Sequence, residues 1–339
     1  MLKIGIVGAG RIGKVHTQSI CNYVKNAEIK TIADPFMSEE TAKWAKSLGV
    51  QNTTKDYKEI LNDPEIGAVL ICSSTDTHAK ISVEAINAGK HVFCEKPIDH
   101  DVARIQEVID ALKGKKVKYQ VGFNRRFDHN FEAVHEAVKA GKIGSPEIIK
   151  ITSRDPEPPS PEYVKVSGGM FLDMTIHDFD MARFLVDSDV EEVYVQSAVL
   201  VDPAIGEAGD VDTAIITMKM ANGALAVIDN CRRSSYGYDQ RAEVFGSKGM
   251  AGIKNDSVSN CKIATDDGVT AEKPMFFFLE RYMQAYSKEI TSFVDAVVND
   301  TPTPVNEYDG LQAVLIGLAA KKSAQEHRPV KVSEIENDK

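Results

Sequence analysis

From residue 1 to about residue 122 the chain alternates short apolar runs with stretches of helical periodicity. The runs at 4–7, 29–33, 68–72, 91–94 and 118–122 read as strands. Those at 12–24, 39–48, 57–61, 79–88 and 102–112 read as helices. Strands that alternate with helices are joined by right-handed crossovers, so the pattern predicts a parallel sheet. Gly89 stands where a helix C-cap glycine belongs, just before the strand at 91.

After residue 122 the pattern changes. A helix is expected at 127–140, stopped by Gly141, and then a strand at 147–153. The segment Asp155-Pro156-Glu157-Pro158-Pro159-Ser160-Pro161 reads as a loop, because its four prolines deny it both ladder and helix. One helix is expected at 170–186. Strand-like runs follow at 192–201, 213–220, 224–230, 241–245 and 250–254, with Asn222-Gly223 as a hairpin turn. Helices at 279–298 and 311–325 end the pattern. Strands in succession predict a mainly antiparallel sheet in an α+β domain. A chain of 339 residues exceeds one ordinary core. Two domains are expected, 1–122 and 123–339, with the last helices able to pack back on the first.

Gly8-Ala9-Gly10-Arg11-Ile12-Gly13 follows the first strand and opens the first helix, the context a dinucleotide fingerprint needs. Gly8 permits the tight turn, Gly10 the approach of a pyrophosphate, and Gly13 close helix–strand packing. The helix start, through Arg11 and Ile12, offers amide groups and a positive dipole end. Asp34 ends the next strand. A carboxylate there accepts ribose hydroxyls and repels the extra phosphate of NADP. It also serves as a turn or helix-cap aspartate, and the two roles can coexist. Ser73, Ser74 and Thr75 leave the fourth strand at its carboxyl end, where ligands of open parallel sheets lie. His78 is either a cofactor contact or a structural cap.

Composition narrows the function classes. The formal net charge of −10 argues against nucleic acid or an anionic membrane as main partner. No apolar stretch approaches a membrane span, and the start shows neither the basic segment nor the long apolar run of a signal peptide. The five cysteines are odd in number, widely spaced and without a C-x-x-C pair. That pattern fits a reducing cytoplasm and argues against a disulfide framework or a zinc site. Cys72 and Cys94 lie in strand-like runs and are expected in the core.

Glu95-Lys96-Pro97 follows the strand at 91–94, again at a carboxyl end, which would put the Lys96 ammonium beside a nicotinamide. The plainer alternative is a surface ion pair. Asp173 and His177 are four apart on the expected helix and share a face, with Asp180 three further on. A histidine suits removal of a hydroxyl proton near neutral pH, and a carboxylate one turn away can orient it. A helix-surface ion pair is the alternative. No second histidine is near enough to favour a metal.

The glycine loop, Glu95-Lys96-Pro97, and Gly168-Gly169 followed by Asp173 and His177 together resemble the glucose–fructose oxidoreductase/inositol dehydrogenase family. The resemblance covers essentially the whole chain. It implies a Rossmann doubly wound sheet followed by an α+β domain with a large, open-faced sheet. It also implies NAD as cofactor and a catalytic set of Lys96, Asp173 and His177. The segments 93–97, 122–128 and 236–239 are most similar to the inositol 2-dehydrogenase members. They imply Arg125, Asp155, Asp180 and Tyr236 or Tyr238 as hydroxyl-binding groups. Asn124, which faces the pocket in that family, departs from the methionine expected there. The implied reaction is oxidation of a cyclic polyol, with scyllo-inositol or an aldose as sibling substrates and a non-catalytic NAD-binding regulator as the rival class. Homo-oligomers, often tetramers, are implied as well.

Overall fold

The computed structural model describes residues 1–337 and divides into two compact units. The first comprises Met1–Phe127 with Met283–Leu311, and the second Asp128–Tyr282 with the chain from Gln312. Among the described residues no helix is long and apolar enough to cross a membrane.

The first unit is built on six strands: β1 (Leu2–Val7), β2 (Ala27–Ala33), β3 (Asn52–Thr54), β4 (Ala68–Ile71), β5 (His91–Glu95) and β6 (Tyr119–Gly122). All pair in parallel, in the order β3-β2-β1-β4-β5-β6. This is the doubly wound order, whose direction reverses between β1 and β4 and opens a crevice at their carboxyl ends. β4 is buried along its whole length, as a strand covered on both faces must be. Ile4, Ile6, Leu70 and Phe93 share a core with Ile290, Phe293 and Val294. A helix from far along the chain, Met283–Val298, therefore closes one face of this sheet.

The second unit contains β7 (Pro146–Arg154), β8 (Val190–Ala198), β9 (Thr213–Met220), β10 (Leu225–Cys231), β11 (Asp239–Gly246) and β12 (Gly249–Gly252). It also holds the hairpin β13 (Lys262–Thr265) and β14 (Gly268–Ala271), and the short β15 (Val330–Lys331). Seven of these form one sheet, ordered β12-β11-β7-β10-β9-β8-β15. Its pairs are antiparallel except β7 with β10. Asn222-Gly223 does turn β9 into β10, with Gly223 at φ +90°. One face, carrying Ile149, Ile151, Ile216, Ile228 and Val244, is buried. The helices His129–Lys139 and Ile176–Val186 pack on the sheet. The other face is open and bears an apolar row. Met250, Phe245, Ile148 and Leu225 are register partners on four successive strands, each at least 40% exposed.

Several elements depart from expectation. The helix expected at 170–186 is two, Met170–Asp173 and Ile176–Val186. Thr175 N–H reaches back five residues to Met170 O, and Asp178 N–H only three to Thr175 O, so the winding changes at the join. The helix expected at 127–140 starts anew at His129, because Asp128 caps it by accepting from the amides of Asn130 and Phe131. The helix expected at 279–298 is also split, into Phe278–Arg281 and Met283–Val298, while the one expected at 311–325 is continuous from Glu307 to Glu326. β8 stops at Ala198 rather than at 201, since the amides of Leu200, Val201 and Asp202 fold around the buried Asp212 carboxylate. Pro161 does not merely break structure: it opens the short helix Pro161–Val164 at the position where a missing N–H costs nothing.

The glycine loop shows why its residues lack side chains. A Cβ on Gly13 would lie 2.0 Å from Gly8 O, and one on Gly8, at φ +102°, 2.6 Å from the Cys72 carbonyl. Around Gly10 nothing lies within 4 Å. Gly13→Ala should therefore lower stability by about 1–3 kcal/mol, since rigid backbone must move to admit the methyl. Gly10→Ala should stay within about 0.5 kcal/mol of the parent. Urea titration of both variants tests the contrast.

Candidate active site

At the carboxyl edge of the parallel sheet, the helix Arg11–Tyr23 begins at Gly10 with no side-chain cap and no acid in its first turn. Lys14 N–H closes the first intrahelical bond, onto Gly10 O, so the amides before it are those a helix start presents to an outside acceptor. The open space at Gly10 lies beside them. This cradle fits a pyrophosphate. Asp34, half-buried at the end of β2, accepts from Ala9 N–H at 2.7 Å and from Phe36 N–H at 2.8 Å. The carboxylate that shapes this turn thus also borders the glycine loop.

The turn after β4 is tied locally. Ser73 Oγ lies 2.6 Å from Thr77 Oγ1, which itself donates to Ser74 O. Ser74 is exposed at the N-cap of the helix Thr75–Asn87, and its side chain makes no cap bond. His78 is buried, with Nδ1 2.8 Å from Pro97 O and Nε2 3.0 Å from Ser73 O. Both partners are carbonyls, so each contact is attractive only when the nitrogen carries hydrogen. Burial opposes charge on the ring, but the Cys94 sulfur and the two carbonyls outweigh it, and the pKa is pushed up to about 9. His78 is therefore a staple between the β4 turn and the segment after Lys96. Glu95, the last residue of β5, has Oε1 2.6 Å from Nε2 of the buried His16. Lys96 is thus flanked by two anchored neighbours, Glu95 and Pro97.

In the second unit the organising residues are Asn230 and Arg232, which sequence reasoning missed. Asn230 is buried near the end of β10, and Arg232 is buried just past its last residue, Cys231. Asn230 accepts from Thr175 Oγ1 at 2.6 Å and donates to Asp178 Oδ2 at 2.9 Å, gripping the helix join on both sides of His177. Arg232, only 4% exposed, donates to Asp155 Oδ2 at 3.2 Å and to Asp173 Oδ2 at 3.1 Å. Burial works against its charge, yet Asp173 and Asp155 overcome this and hold it above the ordinary arginine value. Tyr163 Oη donates to the other Asp173 oxygen at 3.0 Å. The signal was present in the sequence: in Ala226-Val227-Ile228-Asp229-Asn230-Cys231-Arg232 the inward phase of the strand ends on two polar residues.

The remaining expected residues fall in several places. Asn124 and Arg125 are buried in a 3₁₀ turn, Asn124–Phe127, of the first unit. Asp180 is buried on the helix Ile176–Val186. Tyr238 is buried edge-on to Tyr282, with centroids 5.9 Å apart. Tyr236 is 40% exposed and belongs to a different network, donating to Asp239 and accepting from Arg154. Its hydroxyl is committed there rather than to the Asp155–Arg232–Asp173 group. Among the described residues all five cysteines are unpaired, and Cys72 and Cys94 are buried.

Comparison with known proteins agrees with this geometry. Residues 2–123 match the oxidoreductase family model with an NAD-binding Rossmann fold, and residues 131–252 match the GFO/IDH/MocA C-terminal domain. The chain is 48% identical to "Uncharacterized oxidoreductase YrbE" of Bacillus subtilis over 98% of its length and 97% of the relative's. It is 45% identical to the myo-inositol 2-dehydrogenase of Thermotoga maritima, covering 98% of this chain and 99% of the other. The crystal structure of scyllo-inositol dehydrogenase from Lactobacillus casei, with bound NAD(H) and scyllo-inositol, superposes with a TM-score of 0.91 at 30% identity, covering 98% and 99% of the two chains. Two family models that together take in both units, and relatives this similar over almost the full length, establish that the chain belongs to the GFO/IDH/MocA family of NAD-binding oxidoreductases.

Proposed function

We propose that this protein oxidises a ring hydroxyl of a cyclic polyol, myo-inositol foremost, to the ketone with formation of NADH. The observation that carries the reading is the buried Arg232 bridging Asp155 and Asp173 beside the helix join that bears His177. A polar, charge-balanced group of this kind suits a ligand made of hydroxyls, and the chain is 45% identical to a myo-inositol 2-dehydrogenase. NAD, when bound, supplies the hydride acceptor. Gly10 would leave room for its pyrophosphate at a helix start that Gly8 and Gly13 set by tight turn and close packing, Asp34 would accept ribose hydroxyls, and Ser73, Ser74 and Thr75 would line the neighbouring edge.

His177 removes the hydroxyl proton, and Asp173, held by Arg232 and Tyr163, orients the imidazole. Lys96 donates to the same oxygen and stabilises the negative charge that develops on it. Asn124, Arg125, Asp155, Asp180 and Tyr238 hold the remaining hydroxyls. The apolar row on the open sheet face supports a homo-oligomer, with four copies implied by the family. The unpaired cysteines support a cytoplasmic location.

A panel of inositols and aldoses assayed for NADH formation is the direct test. A myo-inositol rate above that on glucose is expected. Turnover on aldoses alone would overturn the substrate, and tight NAD binding with no turnover on any polyol would favour a regulator.

His177→Ala should lower the hydride-transfer rate by roughly 10²–10⁴-fold, the usual contribution of a general base, while NAD binding persists. Arg232→Lys keeps the charge but loses the fork that spans two carboxylates. Its kcat/KM should fall by about 10²-fold through misplacement of Asp173. Stopped-flow NADH absorbance, with circular dichroism to check folding, reads both.

The enzyme should prefer NAD to NADP. Asp34→Ser should raise NADP use and weaken NAD, with Arg11 available to meet a 2′-phosphate. The measurement is kcat/KM for both cofactors in parent and variant. An unchanged ratio would leave Asp34 as a turn residue alone.

A further inference from the structure

Inside the first unit lies a buried group of titratable side chains that the proposed reaction does not use. His16 on the helix Arg11–Tyr23, Glu95 on β5 and Glu289 on the helix Met283–Val298 each bring one polar atom within 4.8 Å of the others. His16 and Glu289 are fully buried, and Glu95 almost so. His16 Nε2 is 2.6 Å from Glu95 Oε1 and 3.9 Å from Glu289 Oε1. The imidazole is held edge-on by Phe93 and Tyr286, at centroid distances of 5.2 and 5.7 Å. Gly122 on β6 leaves space for Glu95, since a Cβ there would stand 3.0 Å from Oε2.

Glu289 is the anomaly. Among the described residues neither carboxyl oxygen has a hydrogen-bond partner. Groups around it include His16 from the first helix, Glu95 from β5, the Cys72 thiol beyond β4, Tyr286 on its own helix, which packs on the His16 ring, and Gln120 of β6, whose Nε2 donates instead to the Glu289 main-chain oxygen. None of these is a lysine or an arginine. An ionised carboxylate without donors in a dry interior is among the costliest groups a core can hold, and such a group takes up a proton instead. Burial pushes the Glu289 carboxyl well up, and the nearby Glu95 charge adds to the effect.

We propose that Glu289, kept as a neutral carboxylic acid, and His16 form a positioning pair that fixes the Glu95 carboxylate and, through it, Lys96. The inference rests on the reading of Lys96 as catalytic. An ionised Glu289 would repel Glu95 and compete for His16, loosening the end of β5, where Glu95 pairs with Gly122. A neutral one leaves His16 to Glu95 alone. The His78 contact to Pro97 O secures the other side of Lys96. A metal is the competing occupant of the same three residues. The His16–Glu95 separation is that of a hydrogen bond, whereas two ligands on a tetrahedral centre with bonds of about 2.0–2.2 Å stand further apart.

The test uses the full chain with Glu289→Gln, Glu289→Ala and His16→Leu. Infrared spectra of the parent at neutral pH should show a protonated-carboxyl band that Glu289→Gln lacks. Glu289→Gln, which keeps shape and neutrality, should retain most of kcat, whereas Glu289→Ala should not. His16→Leu should lose about 10²-fold in kcat with little change in polyol KM, as expected of misplaced chemistry. Absence of the band, or a Glu289→Gln variant as impaired as Glu289→Ala, overturns the proposal. So does a stoichiometric divalent metal whose removal by chelator abolishes activity. Lys96→Ala separates the two readings: full turnover there would overturn the role of Lys96, and with it the positioning claim, while the infrared band would still report the protonation of Glu289.

Discussion

In the first unit one close backbone approach fixes both the glycine loop and the sheet edge beside it: Gly8 O occupies almost the place where a side chain on Gly13 would begin, 2.0 Å away. Because nothing intervenes, the helix Arg11–Tyr23 starts hard against the end of β1. Its uncapped amides then lie at the carboxyl edge of the central strand, where the sheet order reverses and a dinucleotide can enter. The same approach sets the helix phase, which carries His16, three residues on, down to Glu95 on β5. The cradle for the phosphates and the support for the lysine loop thus share a single steric origin.

The second unit solves a similar problem with strand geometry. At the end of β10 the alternation buries Asn230, and the chain just past Cys231 buries Arg232. Asn230 holds the point where the helix changes its winding, and Arg232 holds the acid just before it. The irregular turn at Met174 and Thr175 would be an unstable interruption by itself. Bonded to the sheet, it becomes the feature that sets the spacing of Asp173 and His177.

What was legible in the sequence was local. The glycine loop, the strand–helix alternation, the Asn222-Gly223 hairpin and the position of Lys96 at a strand end depend on neighbours within a few residues. The continuous helix at 170–186 was inferred from the same local periodicity and failed, because Thr175 bonds Asn230, 55 residues away. Arg232 meets Asp173 across 59 residues, and Gln120 meets the Glu289 backbone across 169. Periodicity marks such residues as lying on a helix or strand but does not name their partners. A polar residue in the inward phase of a strand is the one local sign that a distant partner exists.

Two buried groups, one in each unit, carry charge in opposite ways. Arg232 stands between two carboxylates, so one cation is shared by two acids and the group stays charged, directional and strongly hydrogen-bonded. Such a group can orient a hydroxyl-rich ligand and hold a base. Around Glu95 one histidine serves two acids, with no arginine in the group among the described residues, and burial together with the Glu95 charge drives the second acid, Glu289, toward its protonated form. That group offers no further charge to a ligand. It removes one, leaving a single well-held carboxylate beside the residue whose ammonium must be aimed.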